Sequence, residues 1–518
     1  MKILFISAEV APYMKVGGLS QVMYFLPRSL KKLGHDVRIF TPLYGSSRGL
    51  ENKKLKMRLA QLNVPVNGKD NGFLICNVKY LAGDEKTASV YFLENREYYE
   101  LRANAFGYAD DHIRFALLCK ACLEWLIKEK KKCAKGWWPD VIHCHDWHAS
   151  YFIDLAKNTE RYNKIIDKTP VLLTVHNFKY QGNWDFKYVP KEQQDNGFSK
   201  LASLTSPELQ KQNALKRGLL FADAITTVSP QHALEVLTPE YAEGLEDAIC
   251  QVRGKLSGIL NGINVDEFNP WKDQSLKKRF SKKKFIKARA INKADLQNEF
   301  GLQIDPHKPL LAFVGRLTTQ KGLDLVIEAL SHLLEEHKDI QYISLGSGDE
   351  RFKNALIDLK KKFPEQIALH LSSDFNLPRK IFAGADIILM PSAFEPGGIV
   401  ALEAQRYGAV PLVRKTGGLV DIVNDFDPVS KKGNGFSFTQ KTPWALYDTI
   451  IRALTIYKQK KIWYALVKNC LSQDFSWDHA AKEYEDWYLH NIKKRSQISL
   501  IYSIWRKIIK ENGIKKSK

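Results

Sequence analysis

No run of 18 apolar residues occurs in the chain, so no segment is expected to cross a membrane as a helix. The start, Lys2 followed by ILFIS and stopped by Pro12, is too short an apolar stretch for a secretory leader. Cysteines are few and scattered, seven in all, an odd number that fits reduced thiols in a cytoplasmic protein better than a disulfide framework. Cys119 and Cys122 are spaced as a C-x-x-C, but in an apolar helical run with no second pair, so both are expected in the core. The glycine fingerprint G-x-G-x-x-G is missing after the first strand, which argues against a nicotinamide cofactor. The histidines of PDVIHCHDWHAS have no third ligand at a zinc-like spacing. No metal and no cofactor are therefore expected. Acidic residues are short as well, 57 against 78 basic, for a formal charge of +21. Residues 272–293 hold ten Lys/Arg and one acid, net +9, and residues 492–518 hold nine and one, net +8. Together they supply +17 of the +21, in a linker and a tail rather than on a recognition helix, so nucleic acid is not the expected partner.

What is present begins with 518 residues at 44% hydrophobic content, enough for two or three packed domains. The chain is organised around residues 390–418, MPSAFEPGGIVALEAQRYGAVPLVRKTGG. A buried strand, Ala385 to Met390, leads into Glu395, Pro396, Gly397 and Gly398 and then a helix from Ile399 to Tyr407 carrying Glu403. A second strand, Ala409 to Val413, runs into Thr416, Gly417 and Gly418 and another helix. Twice a strand delivers a glycine pair to a helix N-terminus, whose unpaired N–H groups suit an anion. Upstream, PLLAFVGRLTTQKGLDLVIEAL places Arg316 and Lys321-Gly322 between a strand and a helix, a planar fork and a point charge suited to a diphosphate. At the other end, a strand at residues 3–8, the loop VAPYMKVGGLSQV with Lys15, Gly17 and Gly18, a helix to Leu33 and a strand from Val37 form a Rossmann-like opening.

FEPGG, the glutamate pair Glu395 and Glu403 and RKTGGL resemble the donor site of retaining glycosyltransferases with two Rossmann-like domains, the GT-B fold. KVGGL, HCHDW, HNFKYQG and FSWDHAAKEYEDWY resemble the bacterial glycogen synthase and plant starch synthase family over about residues 1–490. The resemblance implies an α/β protein of two Rossmann-like domains facing a deep cleft. Residues 1–265 would be the acceptor domain, 266–300 a basic linker with the first helix of the second domain, and 301–475 the nucleotide-sugar domain. Residues 476–490 would cross back, and 491–518 form a basic amphipathic tail.

The implied reaction is retaining transfer of glucose to the non-reducing end of an α-1,4-glucan. ADP-glucose is favoured as donor, and UDP-glucose is the other candidate. The rival is a retaining transferase with another acceptor, a small sugar or a lipid-linked glycan. A glucan- or nucleic-acid-binding protein without turnover would not need Arg316, Lys321 and Glu395, which are all present. By resemblance Arg316, Lys321, Glu395 and His176 are catalytic. Lys15, Gly17, Gly18, Asn261, Gly346, Gly397, Gly398, Glu403, Thr416, Gly417 and Gly418 face the donor. Tyr98, Tyr99, Asp146, Trp147 and Asn177 face the acceptor, with aromatic rings suited to sugar faces.

This chain departs from the family at several points. Gln21 stands where the family has Asp, Gly397 where it has Cys, and Ser372-Ser373 where it has Gly-Tyr. Glu403 matches the broader retaining group, where it binds ribose hydroxyls. In the tail, Ile498, Ile501, Ile504, Trp505, Ile508 and Ile509 repeat at helical spacing among Lys and Arg. An extra helix packed on the domain is the favoured reading, and peripheral membrane contact the less favoured one.

Overall fold

The structure is a computed structural model that describes the chain apart from residues 48–49, 51–55, 67–71, 133–135, 375 and 512–518. It divides into two compact units, one of Met1–Val228, Ala233–Ile259 and the chain from Ala480, the other of Ser229–His232 and Leu260–His479.

In the first unit the strands are β1 Lys2–Ile6, β2 Asp36–Pro42, β3 Lys56–Pro65, β4 Phe73–Leu81, β5 Ser89–Glu94, β6 Val141–His145, β7 Val171–Val175, β8 Ala224–Thr227 and β9 Leu256–Gly258. They form one sheet in the order β3-β4-β5-β2-β1-β6-β7-β8-β9. All pairs are parallel except β3/β4 and β4/β5. Parallel strands covered on both faces must be apolar on both faces, and β6 and β7 are buried at every position. The central order β5-β2-β1-β6-β7-β8 is the doubly wound one, with its reversal between β1 and β6. Cys119 and Cys122 are buried on the helix Asp111–Lys131, in the core as expected.

The second unit holds β10 Leu310–Val314, β11 Gln341–Leu345, β12 Ile367–His370, β13 Ile387–Met390, β14 Val410–Arg414 and β15 Phe436–Phe438. Their order, β12-β11-β10-β13-β14-β15, is again the doubly wound one, wholly parallel, reversing between β10 and β13. The helix Phe285–Glu299 is tied beneath this sheet by Lys293, whose ammonium donates to Asp386 at 2.7 Å and to the Tyr457 hydroxyl at 3.0 Å. Asp386 in turn accepts the N–H of Leu310 at 2.9 Å, so one buried carboxylate links the helix to the start of β10 and β13.

The expected crossover helix and basic tail are a single helix, Trp477–Glu511, of 35 residues. No proline or glycine interrupts it, so nothing in the backbone chemistry stops it at residue 490. From Ala480 on it belongs to the first unit, where the Tyr488 hydroxyl meets His143 Nδ1 at 2.8 Å and Glu485 meets His35 at 2.8 Å. Ile498 is half-buried and Ile501 exposed. The side chains of Ile504, Trp505, Ile508 and Ile509 lie outside the described residues. No helix among the described residues is long and apolar enough to cross a membrane.

Candidate active site

In the second unit the loops after β10, β13 and β14 meet at the carboxyl ends of neighbouring strands, at the point where the strand order reverses. Arg316 is exposed at the start of the β10 loop, and its guanidinium donates to Gln320 Oε1 at 3.1 Å. Gln320 bonds the loop after β13 twice, donating to Phe394 O at 3.2 Å and accepting the Ala393 N–H at 2.8 Å. Gly322 takes φ +74, and a Cβ there would sit 2.2 Å from Pro391 O, so only glycine lets these two loops touch. The result brings Lys321 and Glu395 into a direct ion pair, largely withdrawn from water. Ser392 Oγ also donates to Glu395 at 3.2 Å.

The third loop packs backbone on backbone. Gly418 N–H donates to Glu395 O and Pro396 O, both at 3.0 Å. Gly417 takes φ +46, and a Cβ on it would lie 2.2 Å from Glu395 O. Gly398, at φ +59, caps the helix Ile399–Arg406. The helix after Gly417 is only five residues long, Gly418–Ile422, and its first N–H groups are already bonded, Gly418 to Glu395 O and Pro396 O, Leu419 to Thr416 O at 3.2 Å and Val420 to Gly417 O at 3.0 Å, so the anion-binding N–H groups expected there are engaged within the protein. Thr416 is fully buried with no partner for Oγ1, and Asn261 is buried with no partner for Oδ1. Buried polar atoms without partners mark places where a ligand or water completes the bonding. Gly346, after β11, presses against Gly315 O, where a Cβ would be 1.8 Å away. In place of the family's aromatic, Ser373 bonds Ser347 at 2.9 Å.

Glu403 is half-buried on the helix Ile399–Arg406. Burial pushes its carboxyl up to about 8, with repulsion from Glu267 added and attraction from Arg379 opposing. It is protonated at neutral pH and so offers a donor as well as an acceptor.

In the first unit the equivalent point lies beside β1 and β6. Lys15, Gly17 and Gly18 are exposed, and Gly17 begins the helix Gly18–Lys32 with no side-chain cap. Beneath them Glu9, 4% exposed, accepts the N–H of Val16 at 2.8 Å and of Gly17 at 2.9 Å. Sequence reading passed over Glu9. Its signal was a carboxylate three residues after the apolar run Ile3–Ile6, where an acid is costly unless it bonds something. Arg414, also passed over, is buried at the end of β14 and holds the carbonyls of Ser392 and Ala393 at 2.8 and 2.6 Å.

Asp146 follows β6 with φ +57, a strained conformation for a non-glycine residue. Its Oδ1 accepts the His176 N–H at 2.7 Å, which locks the end of β7 to the end of β6. Burial raises its carboxyl to about 7, although the N–H groups of His176 and Asn177 pull the other way. His176 is lowered to about 4 by burial, hence neutral, and stacks on His145 with Nε2 3.0 Å from Nδ1. Asn177 is half-buried and its Oδ1 accepts the Lys179 N–H at 3.0 Å.

Two residues expected on the acceptor side are buried. Tyr99 is 0% exposed, its hydroxyl donating to Arg114 O at 2.6 Å, and Trp147 is 5% exposed, edge-on to Phe115. Both are core side chains, because each ring gains more by burial among aromatics than at the surface. Neither has a face free for a sugar. Tyr98 is half-buried on the short π-helix Arg96–Glu100 and keeps an accessible part.

Comparison with known proteins agrees with this arrangement. Residues 2–251 match the starch synthase catalytic domain family, and residues 296–466 match the glycosyl transferases group 1 family. A glycogen synthase of Geotalea uraniireducens is 38% identical over 94% of this chain and 98% of its own length. The glycogen synthase of Streptococcus pneumoniae is 36% identical over 94% and 99%. The chain belongs to the glycogen and starch synthase family.

Its fold is that of the catalytic domain of starch synthase IV from Arabidopsis thaliana, solved bound to ADP and acarbose. The match has a TM-score of 0.77 at 30% identity and covers 95% of this chain and 99% of that one. Sucrose-phosphate synthase from Thermosynechococcus elongatus shares the fold at a TM-score of 0.53 and 17% identity. The chain is a glucosyltransferase of the GT-B fold, with two parallel-sheet α/β domains, and has glycogen/starch synthase function.

Proposed function

We propose that this synthase takes ADP-glucose as donor and extends an α-1,4-glucan at its non-reducing end with retention of configuration. The observation that carries the reading is the Lys321–Glu395 pair, set against the Gly417-Gly418 turn at the strand-order reversal of the second unit. A nucleotide diphosphate leaving group gains negative charge as the glycosidic bond breaks. Arg316 and Lys321 stabilise that charge. Glu395 has one carboxylate oxygen engaged by Lys321 and Ser392, and the other is available for sugar hydroxyls.

Within the second unit Asn261, Gly346 and Thr416 line the nucleotide sugar, and protonated Glu403 donates to a ribose hydroxyl. In the first unit Lys15 meets phosphate oxygens. Neutral His176 is a hydrogen-bond partner for the transferred glucose, not a cation. Asp146 acts by holding the His176-Asn177 backbone, and Tyr98 offers the ring face for the glucan. Retention needs no enzyme nucleophile if the leaving diphosphate helps to take the acceptor proton. ADP is favoured over UDP because the starch synthase IV structure that this chain resembles is bound to ADP. The loss of the aromatic at Ser372-Ser373 leaves base selection to other contacts.

The test is donor turnover by the purified chain on a maltooligosaccharide, with ADP-glucose and UDP-glucose in parallel and chelator present. Extension with ADP-glucose, lost on Glu395→Ala, is expected. Extension only with UDP-glucose reverses the donor assignment, and extension with neither, from protein that still binds ADP, moves the acceptor to another sugar or a lipid-linked glycan.

A further inference from the structure

The segment that joins β9 to the helix Phe285–Glu299 has no part in the chemistry above, yet it exposes a dense run of cations. Leu276, Phe280 and Phe285 are 8%, 1% and 6% exposed, and each is buried in the core of the second unit. The residues between these anchors are turned to solvent. Lys277, Lys278 and Arg279 are exposed in one turn, Lys282, Lys283 and Lys284 in the next, and Lys287 on the helix itself.

This face is held in place. Lys278 N–H donates to Asn292 Oδ1, and Asn292 Nδ2 donates back to Lys278 O, both at 2.8 Å. Buried Lys293, two turns along from Ile286, fixes the helix to Asp386. Charge compensation is sparse. Lys277 approaches Asp295 at 3.8 Å, and among the described residues none of the other six has an ion-pair partner. Holding so many like charges together without partners is unfavourable in isolation and becomes favourable against a polyanion.

Exposed apolar residues within the same stretch select the polyanion. Trp271 is 61% exposed, Ile286 45% and Ile291 43%. An aliphatic side chain among lysines offers nothing to a base edge or a sugar-phosphate backbone, whereas nucleic-acid surfaces interleave cations with several aromatic stacking platforms. A bilayer interface takes this mixture directly: lysines reach the headgroups, tryptophan sits at the interfacial level, and isoleucine enters the acyl boundary. We propose that residues 271–291 form a docking face for an anionic lipid surface, which would place glucan synthesis next to a membrane without any spanning segment.

The experiment is sedimentation of the full chain with vesicles of phosphatidylcholine alone and of phosphatidylcholine mixed equally with phosphatidylglycerol. Binding to the anionic vesicles only is expected, weakening at least about tenfold as salt rises from about 0.05 to 0.5 M. Lys278→Glu with Lys283→Glu should weaken it at least about tenfold, and Trp271→Ala with Ile286→Ala should weaken it at unchanged charge. Unchanged turnover on a soluble maltooligosaccharide shows that each variant is folded. No binding to anionic vesicles overturns the proposal. So does binding that survives both double variants but is lost when residues 491–518 are removed. Equal or tighter binding of a duplex oligonucleotide that the Lys278→Glu, Lys283→Glu variant abolishes assigns the face to nucleic acid instead.

Discussion

Glu395 is 9% exposed and Lys321 half-buried, so their attraction is poorly screened and each is the other's main compensation. Lys321→Ala removes a charge that steadies the leaving diphosphate and leaves Glu395 without its counter-ion. A loss of about 100- to 1000-fold in kcat is expected, with a smaller effect on donor KM, measured by initial rates. Asp146 gives a different signature. Its carboxyl lies near 7 in the folded protein, well above an ordinary aspartate, so it is half-neutral at physiological pH. The folded state therefore binds this proton more tightly than the unfolded chain. The resulting stability is fully present below about pH 4 and is lost as pH rises through about 7. Activity should run the other way if the ionised form holds the His176 N–H best. The acid limb of kcat/KM is then expected near pH 7, and Asp146→Asn should flatten it. A limb unchanged in that variant would assign it to another group. For Glu403, the Gln variant copies the neutral donor-and-acceptor form, so donor KM should stay within a few-fold for Glu403→Gln. Glu403→Ala should cost about 1–2 kcal/mol of binding.

At the scale of elements, the site is made by loops that approach more closely than side chains allow. Gly417→Ala places a Cβ 2.2 Å from Glu395 O in a left-handed conformation, and Gly322→Ala does the same against Pro391 O. Each should destabilise by more than about 1 kcal/mol and lower turnover, because the strain is relieved only by moving the loop that carries Glu395. The two can be compared by urea unfolding and by kcat in the same preparations. The helix Phe285–Glu299 is held by the buried Lys293–Asp386 ion pair and by Arg289, whose guanidinium donates to the carbonyls of Phe382, Ala385 and Tyr407. Lys293→Met leaves Asp386 buried and uncompensated, and a loss of about 3–5 kcal/mol is expected by denaturant titration. Adding Asp386→Asn to that variant should recover part of it.

At the scale of the whole molecule, the two units repeat one topology, and nucleotide contacts are proposed chiefly for the second. ADP at about 100 times its Kd should stabilise that unit by about 2.7 kcal/mol, and UDP by less, read as a shift in its thermal transition. Equal shifts with the two nucleotides would remove the basis for preferring ADP-glucose.

Strand positions, the two glycine-bearing turns and the Arg316–Lys321 loop were legible in the sequence, because parallel strands buried on both faces read as apolar runs. A glycine forced by close backbone approach is also visible as a glycine. The Rossmann-like character of both units was legible too, whereas the strand orders and the antiparallel β3-β4-β5 edge of the first sheet were not. Which aromatic beside the acceptor motif faces water was not legible. Tyr98 and Tyr99 are neighbours of one chemical type, and only the packing of Arg114 and the helix Asp111–Lys131 sends Tyr99 inward. Trp147 follows the same rule against Phe115. The partners of Glu9 and Arg414 were not legible because they are backbone groups, which carry no sequence signature. Nor did the charge pattern show that one helix runs through residue 490, since a helix continues wherever backbone bonds and packing allow it. The sequence by itself determined the family, the sheets and the chemistry carried at their strand ends. Tertiary structure alone decided which of those side chains are buried, which carboxylates are protonated and which lysines are left without partners, because these depend on what each group meets across the fold.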